Sequence, residues 1–172
     1  MRLDTDDFTL FDLPARQQQD RARIDERWRV LQGEVHPDRF AAEGASAQRV
    51  AMQWAVRVNE AYRRLKDPLL RAAYLCEQRG VPIDAERNTA MPPAFLMQQM
   101  AWREALDEAR DRAAVEALLG EVEARELALL QEIQVQLDDR AETVTAAQGV
   151  RALMFVRRFR DDLEHRLDQF DA

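Results

Sequence analysis

The chain has 172 residues, of which 47% are hydrophobic and 33% charged; that is enough apolar material for one medium or two small cores and too much for a disordered chain. The net charge of −7 is concentrated after residue 80, where 11 Lys+Arg face 19 Asp+Glu, so nucleic acid is not an expected partner, because phosphate binding needs basic surface. One cysteine and two histidines leave no disulfide and no structural zinc cage within the chain, and no run of 18 apolar residues or signal-peptide core is present, so we expect a cytoplasmic protein with no membrane span, metal or cofactor.

Few glycines and prolines among many Ala, Leu, Glu, Gln and Arg favour helix throughout. Asp6 to Leu13 reads as a short helix stopped before Pro14, since proline disfavours helix in the residue before it. Asp20 caps a second helix, whose core face is Ile24, Trp28, Leu31 and Val35 at spacings of four, three and four. That helix ends at His36, before Pro37, and the stretch from Pro37 to about Ser46 is expected as loop. A third helix places Val50, Trp54, Val58, Ala61 and Leu65 on one side. Asp67-Pro68 breaks it, and a shorter helix runs to Gly80, a candidate C-cap. Residues 80–93 contain three prolines and no helical period, which marks a linker between a domain at 1–79 and another at 94–172. The second domain carries three long amphipathic patterns, from about Ala94 to Arg110, from Val115 to Leu137, and from Ala152 to Phe170. Short connections between them predict an antiparallel three-helix bundle.

His36-Pro37-Asp38, followed by Phe40, sits in the loop between two amphipathic helices. Farther on come Asn59-Glu60-Ala61-Tyr62-Arg63-Arg64-Leu65, Asp67-Pro68 and Arg71-Ala72-Ala73-Tyr74. Together these resemble the J domain over roughly residues 5–78. The resemblance implies an antiparallel helical hairpin with the tripeptide at its tip, docking on an ATPase chaperone of the heat-shock class. In physical terms Pro37 fixes the backbone and Asp38 offers a carboxylate to an arginine. J domains add a basic face on the preceding helix, and Arg23 and Arg27, four apart beside the apolar stripe, are the candidates here. Gly33 and Glu34 stand where many J domains carry basic residues, a departure that points either to weak chaperone docking or to a specialised docking partner.

On the helix beginning near Ala94, Phe95, Trp102, Leu106 and Ala109 cluster within about 60° and form a core face. Leu96, Met97 and Met100 fall on the other side, with Glu104 and Glu108 continuing it. Two readings stand: a docking surface, to which adaptable methionine is suited, or a helix buried on two sides. The segment from Ala94 to Glu108, together with Phe8 to Arg16 and His36-Pro37-Asp38-Arg39-Phe40, resembles the HscB iron–sulfur co-chaperones over nearly the whole chain. That resemblance implies that the C-terminal helices bind the cluster scaffold IscU and that the J domain recruits the ATPase chaperone HscA. Positions matching the family's scaffold-binding surface are Leu96, Met97, Met100, Glu104, Glu108 and Phe155; Ala101 stands where relatives carry an acidic residue. The N-terminal zinc-binding cysteine module of some eukaryotic relatives is absent, which implies a bacterial form.

Catalysis is not expected of the chain itself. Cys76 has no histidine nearby in sequence, Ser46 lies in no nucleophile motif, and no phosphate loop is present. The alternative within the same class is a general J protein serving another client.

Overall fold

The computed structural model describes residues 4–85 and 91–170. Seven α-helices appear among them: α1 Asp7–Leu10, α2 Arg21–Val35, α3 Ala45–Lys66, α4 Pro68–Gln78, α5 Pro93–Glu108, α6 Arg112–Asp138 and α7 Thr143–Asp168. A 3-10 helix, Pro37–Glu43, joins α2 to α3, and the described residues contain no strand. The chain divides inside α4 into two compact units, residues 1–75 and 76–172. Residues 86–90 of the proline-containing stretch at 80–93 lie outside the described residues.

In the first unit Asp20 caps α2 by accepting from the Ala22 amide, which satisfies one of the donors that a helix start leaves unpaired. Ile24, Leu31 and Val35 then face Val58, Ala61 and Leu65 of α3, all buried. The two helices run antiparallel, as their cross-pairs show. Trp28 stacks on Tyr62 at 4.8 Å, the Trp28 indole N–H and the Gln32 amide both donate to Asn59 Oδ1, and the Tyr62 hydroxyl donates to Asp25 at 2.9 Å. The Asn59-Glu60-Ala61-Tyr62 segment is therefore the clasp of the hairpin. The Asp25 carboxyl sits below its ordinary value, chiefly because Tyr62 hydrogen-bonds it. Arg71, buried in α4, donates to the carbonyls of Gln17 and Leu65, which closes the end of α3 against α4.

Gly80 ends α4 as the sequence suggests. Its φ of 80° is left-handed, its amide donates to Glu77 and the Val81 amide donates to Cys76. This is the paired 6→1 and 5→2 arrangement of a Schellman ending, in which glycine avoids the Cβ clash.

In the second unit α6 and α7 are long antiparallel partners. Glu126 meets Arg157 and Arg160, while Gly149 approaches Ile133 so closely that a Cβ would sit 3.0 Å from its Cγ1. Val115, Leu118, Val122, Leu129, Ile133 and Leu137 of α6 bury against Val150, Leu153, Val156, Phe159 and Leu163 of α7. α5 joins them through Phe95 and Trp102. Arg79 donates to the Leu137 carbonyl at 2.7 Å and Arg151 to the Ile83 carbonyl at 3.1 Å, so the segment after α4 is tied to α6 and α7. The architecture is all-α, as the helical periods indicate.

Three local expectations need amendment. The stretch from Pro37 is a 3-10 helix rather than plain loop. Val50 lies half-exposed instead of in the α2–α3 core. Ala109 caps α5 and is only partly covered.

Candidate functional site

Pro37 forces the preceding residue out of helical geometry, and His36 adopts φ −61°, ψ 124° as the last residue of α2 gives way. The His36 Nδ1 then accepts from the Asp38 amide at 3.3 Å, and Pro37 occupies the first position of the 3-10 helix. Arg39 donates to the Gly33 carbonyl at 2.8 Å, satisfying an acceptor that the end of α2 leaves open. These bonds hold the tip in one shape. The carboxylate of Asp38 is nevertheless 90% exposed, 3.7 Å from the imidazole of His36. It is an acceptor aimed at solvent and available to a partner's guanidinium.

Arg23 and Arg27 are placed differently from one another. Arg23 is exposed and pairs with Glu26 at 2.8 Å and Asp12 at 3.8 Å. Arg27 is half-buried, and its Nε donates to the Phe11 carbonyl at 2.9 Å. One guanidinium thus has its charge balanced by neighbours, and the other ties the end of α1 to α2.

A charged centre that the sequence does not announce lies under α1. Asp7 is fully buried and receives two bonds from Arg64, at 2.7 and 3.1 Å, with Arg57 2.7 Å away. Its backbone amide donates to the Tyr74 hydroxyl, the Tyr74 ring stacks on Phe8, and the Arg64 guanidinium lies over that ring. Glu126 has the same role in the second unit, between Arg157 at 2.9 Å and Arg160 at 2.6 Å.

On α5, Phe95 and Trp102 are buried, while Leu96, Met97 and Met100 are 42%, 72% and 73% exposed. Burial of this helix on two sides does not hold: its second apolar side faces solvent. Glu104, Glu108 and Ala101 are exposed along the same side. Phe155 is half-buried, edge-on to Phe95 at 6.1 Å between centroids. Arg103 lies over both Phe155 and Phe159, 5.9 and 5.7 Å from their centroids. At 100° per residue Arg103 shares a flank with Leu96, seven positions earlier. Phe155 accordingly borders the α5 surface on the Leu96 flank, held between a buried ring and a cation. Sequence periodicity marks Phe155 as off the core stripe; it gives no sign of Arg103.

Burial pushes the Cys76 thiol up to about 11, so it is a poor nucleophile at neutral pH. In the native protein at pH 8 we expect Cys76 to resist iodoacetamide and to react within minutes once denaturant is added. Rapid labelling without denaturant, followed by mass spectrometry, would contradict its burial. Among the described residues no group of His, Cys, Asp and Glu is placed to hold a metal ion, and no helix is long and apolar enough to cross a membrane.

Residues 91–164 match the family model described as the HSCB C-terminal oligomerisation domain. The chain is 52% identical over 159 residues to a co-chaperone protein HscB homolog from Bordetella parapertussis, covering 92% of this chain and 94% of that protein. It is 48% identical over 168 residues to a homolog of the same description from Burkholderia multivorans, covering 96% and 95%. Among solved structures, chaperone HscB from Vibrio cholerae aligns with a TM-score of 0.84 at 34% identity, covering 96% of this chain and 99% of that one. Human co-chaperone HscB shares the fold, with a TM-score of 0.87 at 24% identity over 99% of this chain and 84% of that one.

Proposed function

The chain belongs to the HscB co-chaperone family, and from that membership we propose that it brings the iron–sulfur cluster scaffold IscU to the ATPase chaperone HscA. On this reading it stimulates ATP hydrolysis by HscA, assists cluster transfer, catalyses no reaction itself and acts in the cytoplasm. Residues 1–79 serve as the J domain, 80–93 as a linker and 94–172 as the scaffold-binding domain. The observation that supports this best is the pairing of two exposed groups of opposite chemistry on separate units. One is the polar His36-Pro37-Asp38 tip at the C-terminal end of α2, with Arg23 exposed near the start of that helix and Arg27 fixing the helix to α1. The other is the apolar Leu96, Met97 and Met100 surface, rimmed by Glu104 and Glu108 and bordered by Phe155.

The docking assignment is tested by His36→Gln and Asp38→Asn. Both side chains are exposed, so each variant should melt like the parent while losing stimulation of the HscA ATPase. Normal stimulation by either variant would remove the tip from the mechanism.

The client assignment is tested on α5. Met97→Ser should weaken IscU binding by about 1–3 kcal/mol, the range of an interface anchor. The melting temperature should stay where it is, because truncating an exposed side chain leaves no cavity. Unchanged IscU affinity, or a preference of the parent protein for unfolded polypeptides over IscU, would instead favour a general J protein with another client.

A further inference from the structure

The tripeptide tip has little affinity of its own to offer. Asp38 is almost wholly solvated, and ion pairs formed by exposed groups contribute little. Arg23 already has carboxylate neighbours and Arg27 is bonded to a backbone carbonyl, so the basic face expected of α2 is largely engaged within the unit. A partner that docks here needs an apolar anchor close by, since fully desolvated anchors dominate interface energetics.

One feature next to the tip supplies it. Between the 3-10 helix and the first turns of α3 lies a cleft of about 550 Å³, walled by Val35, Phe40, Val50, Ala51 and Trp54, with Glu43 on its rim. Val35 directly precedes His36, and Phe40 follows Asp38 by two residues, so cleft and tripeptide are contiguous in the chain. The cleft exists because α2 ends at Val35 while α3 begins at Ala45: the first turns of α3 have no α2 residue to cover them. Val50 is left 51% exposed for that reason.

The geometry points to this cleft as a second contact for the ATPase chaperone, which inserts a leucine or aromatic side chain beside the charged contact at Asp38. The inference rests on the chaperone-docking reading above and deepens it. The cleft volume suits one large apolar side chain with its adjoining backbone. In this arrangement the tripeptide provides the trigger and the cleft provides much of the affinity. Docking should then be less sensitive to salt than an ion-pair contact would be.

The test uses the full chain with purified HscA-class chaperone, reading ATPase stimulation against co-chaperone concentration at low and high salt. Val50→Asp places a charge in the cleft, and Ser46→Trp, from an exposed position on its wall, fills it. Each should raise the half-stimulating concentration by roughly tenfold or more, the size of effect that losing one anchor produces. Each should still reach full stimulation at saturation, because the tripeptide is intact, and should melt normally. Val56→Asp is the control: it puts the same charge on a somewhat more exposed α3 residue outside this cleft and should change nothing. Normal half-stimulating concentrations for Val50→Asp and Ser46→Trp, alongside an inactive His36→Gln, would overturn the cleft and leave the docking reading standing. Equal weakening by Val56→Asp would also overturn it, by showing a general effect of charge on α3. A fully active His36→Gln would remove the docking reading itself.

Discussion

Asp7→Ala is expected to destabilise residues 1–75 by about 3–5 kcal/mol, the cost of removing one partner from a buried ion pair. The carboxylate is fully buried, accepts two bonds from Arg64 and lies 2.7 Å from Arg57. Alanine removes the anion that balances both cations and leaves a void between α1, α3 and α4. Domains of this size are stable by about 0.05–0.15 kcal/mol per residue, so the variant should sit near its unfolding midpoint at moderate temperature. Asp7→Asn keeps the shape and part of the hydrogen bonding, so its loss should be smaller. Urea titration followed by helical circular dichroism gives the number. A loss under about 1 kcal/mol for Asp7→Ala would mean that the carboxylate contributes little beyond what water could replace.

The same residue shows where local reading stops. In the sequence Asp6 and Asp7 look alike, two carboxylates before a short apolar run. Asp6 does what such residues commonly do, accepting from the Thr9 amide as a helix cap. Asp7 is buried only because Arg57, Arg64 and Tyr74, more than forty residues away, converge on it. No periodicity or spacing near residue 7 carries that information. Glu126 is hidden for the same reason, its partners being thirty-one and thirty-four residues farther on.

What periodicity does carry is the direction of each helix face. It places Ile24, Leu31, Val58, Ala61, Leu65, Phe95 and Trp102 in cores, and all seven are buried. It fails at Val50 because a stripe is a property of one helix, whereas burial needs a second helix alongside. The same logic separates the two arginines of α2. Arg23 and Arg27 are adjacent on the wheel, yet only Arg27 lies within reach of the α1 carbonyl. The exposed side of α5 is legible as an apolar face opposite the core; only its solvent exposure distinguishes a surface from a second buried side.

Trp102→Ala is expected to cost the second unit about 3–5 kcal/mol, as large aromatic truncations in cores do. The indole is 2% exposed, stacks on Phe159 with centroids 5.7 Å apart, and donates from Nε1 to Glu121 at 2.7 Å. Alanine leaves a cavity against Phe159 and removes the donor that Glu121 accepts. The effect should not spread evenly. α6 and α7 bury a long shared face, whereas α5 contributes Phe95 and Trp102 as its buried residues, so losing one of them weakens chiefly the attachment of α5. Amide exchange should therefore quicken across residues 93–108 well before it quickens in α6 or α7. Leu96, Met97 and Met100 ride on that helix, so under the client assignment proposed above IscU binding should fall too, through loss of a fixed surface rather than of a contact. This separates Trp102→Ala from Met97→Ser, which should weaken binding with stability and exchange unchanged. Uniform acceleration through α5, α6 and α7 would show that the three helices open together, and α5 would then have no separable stability.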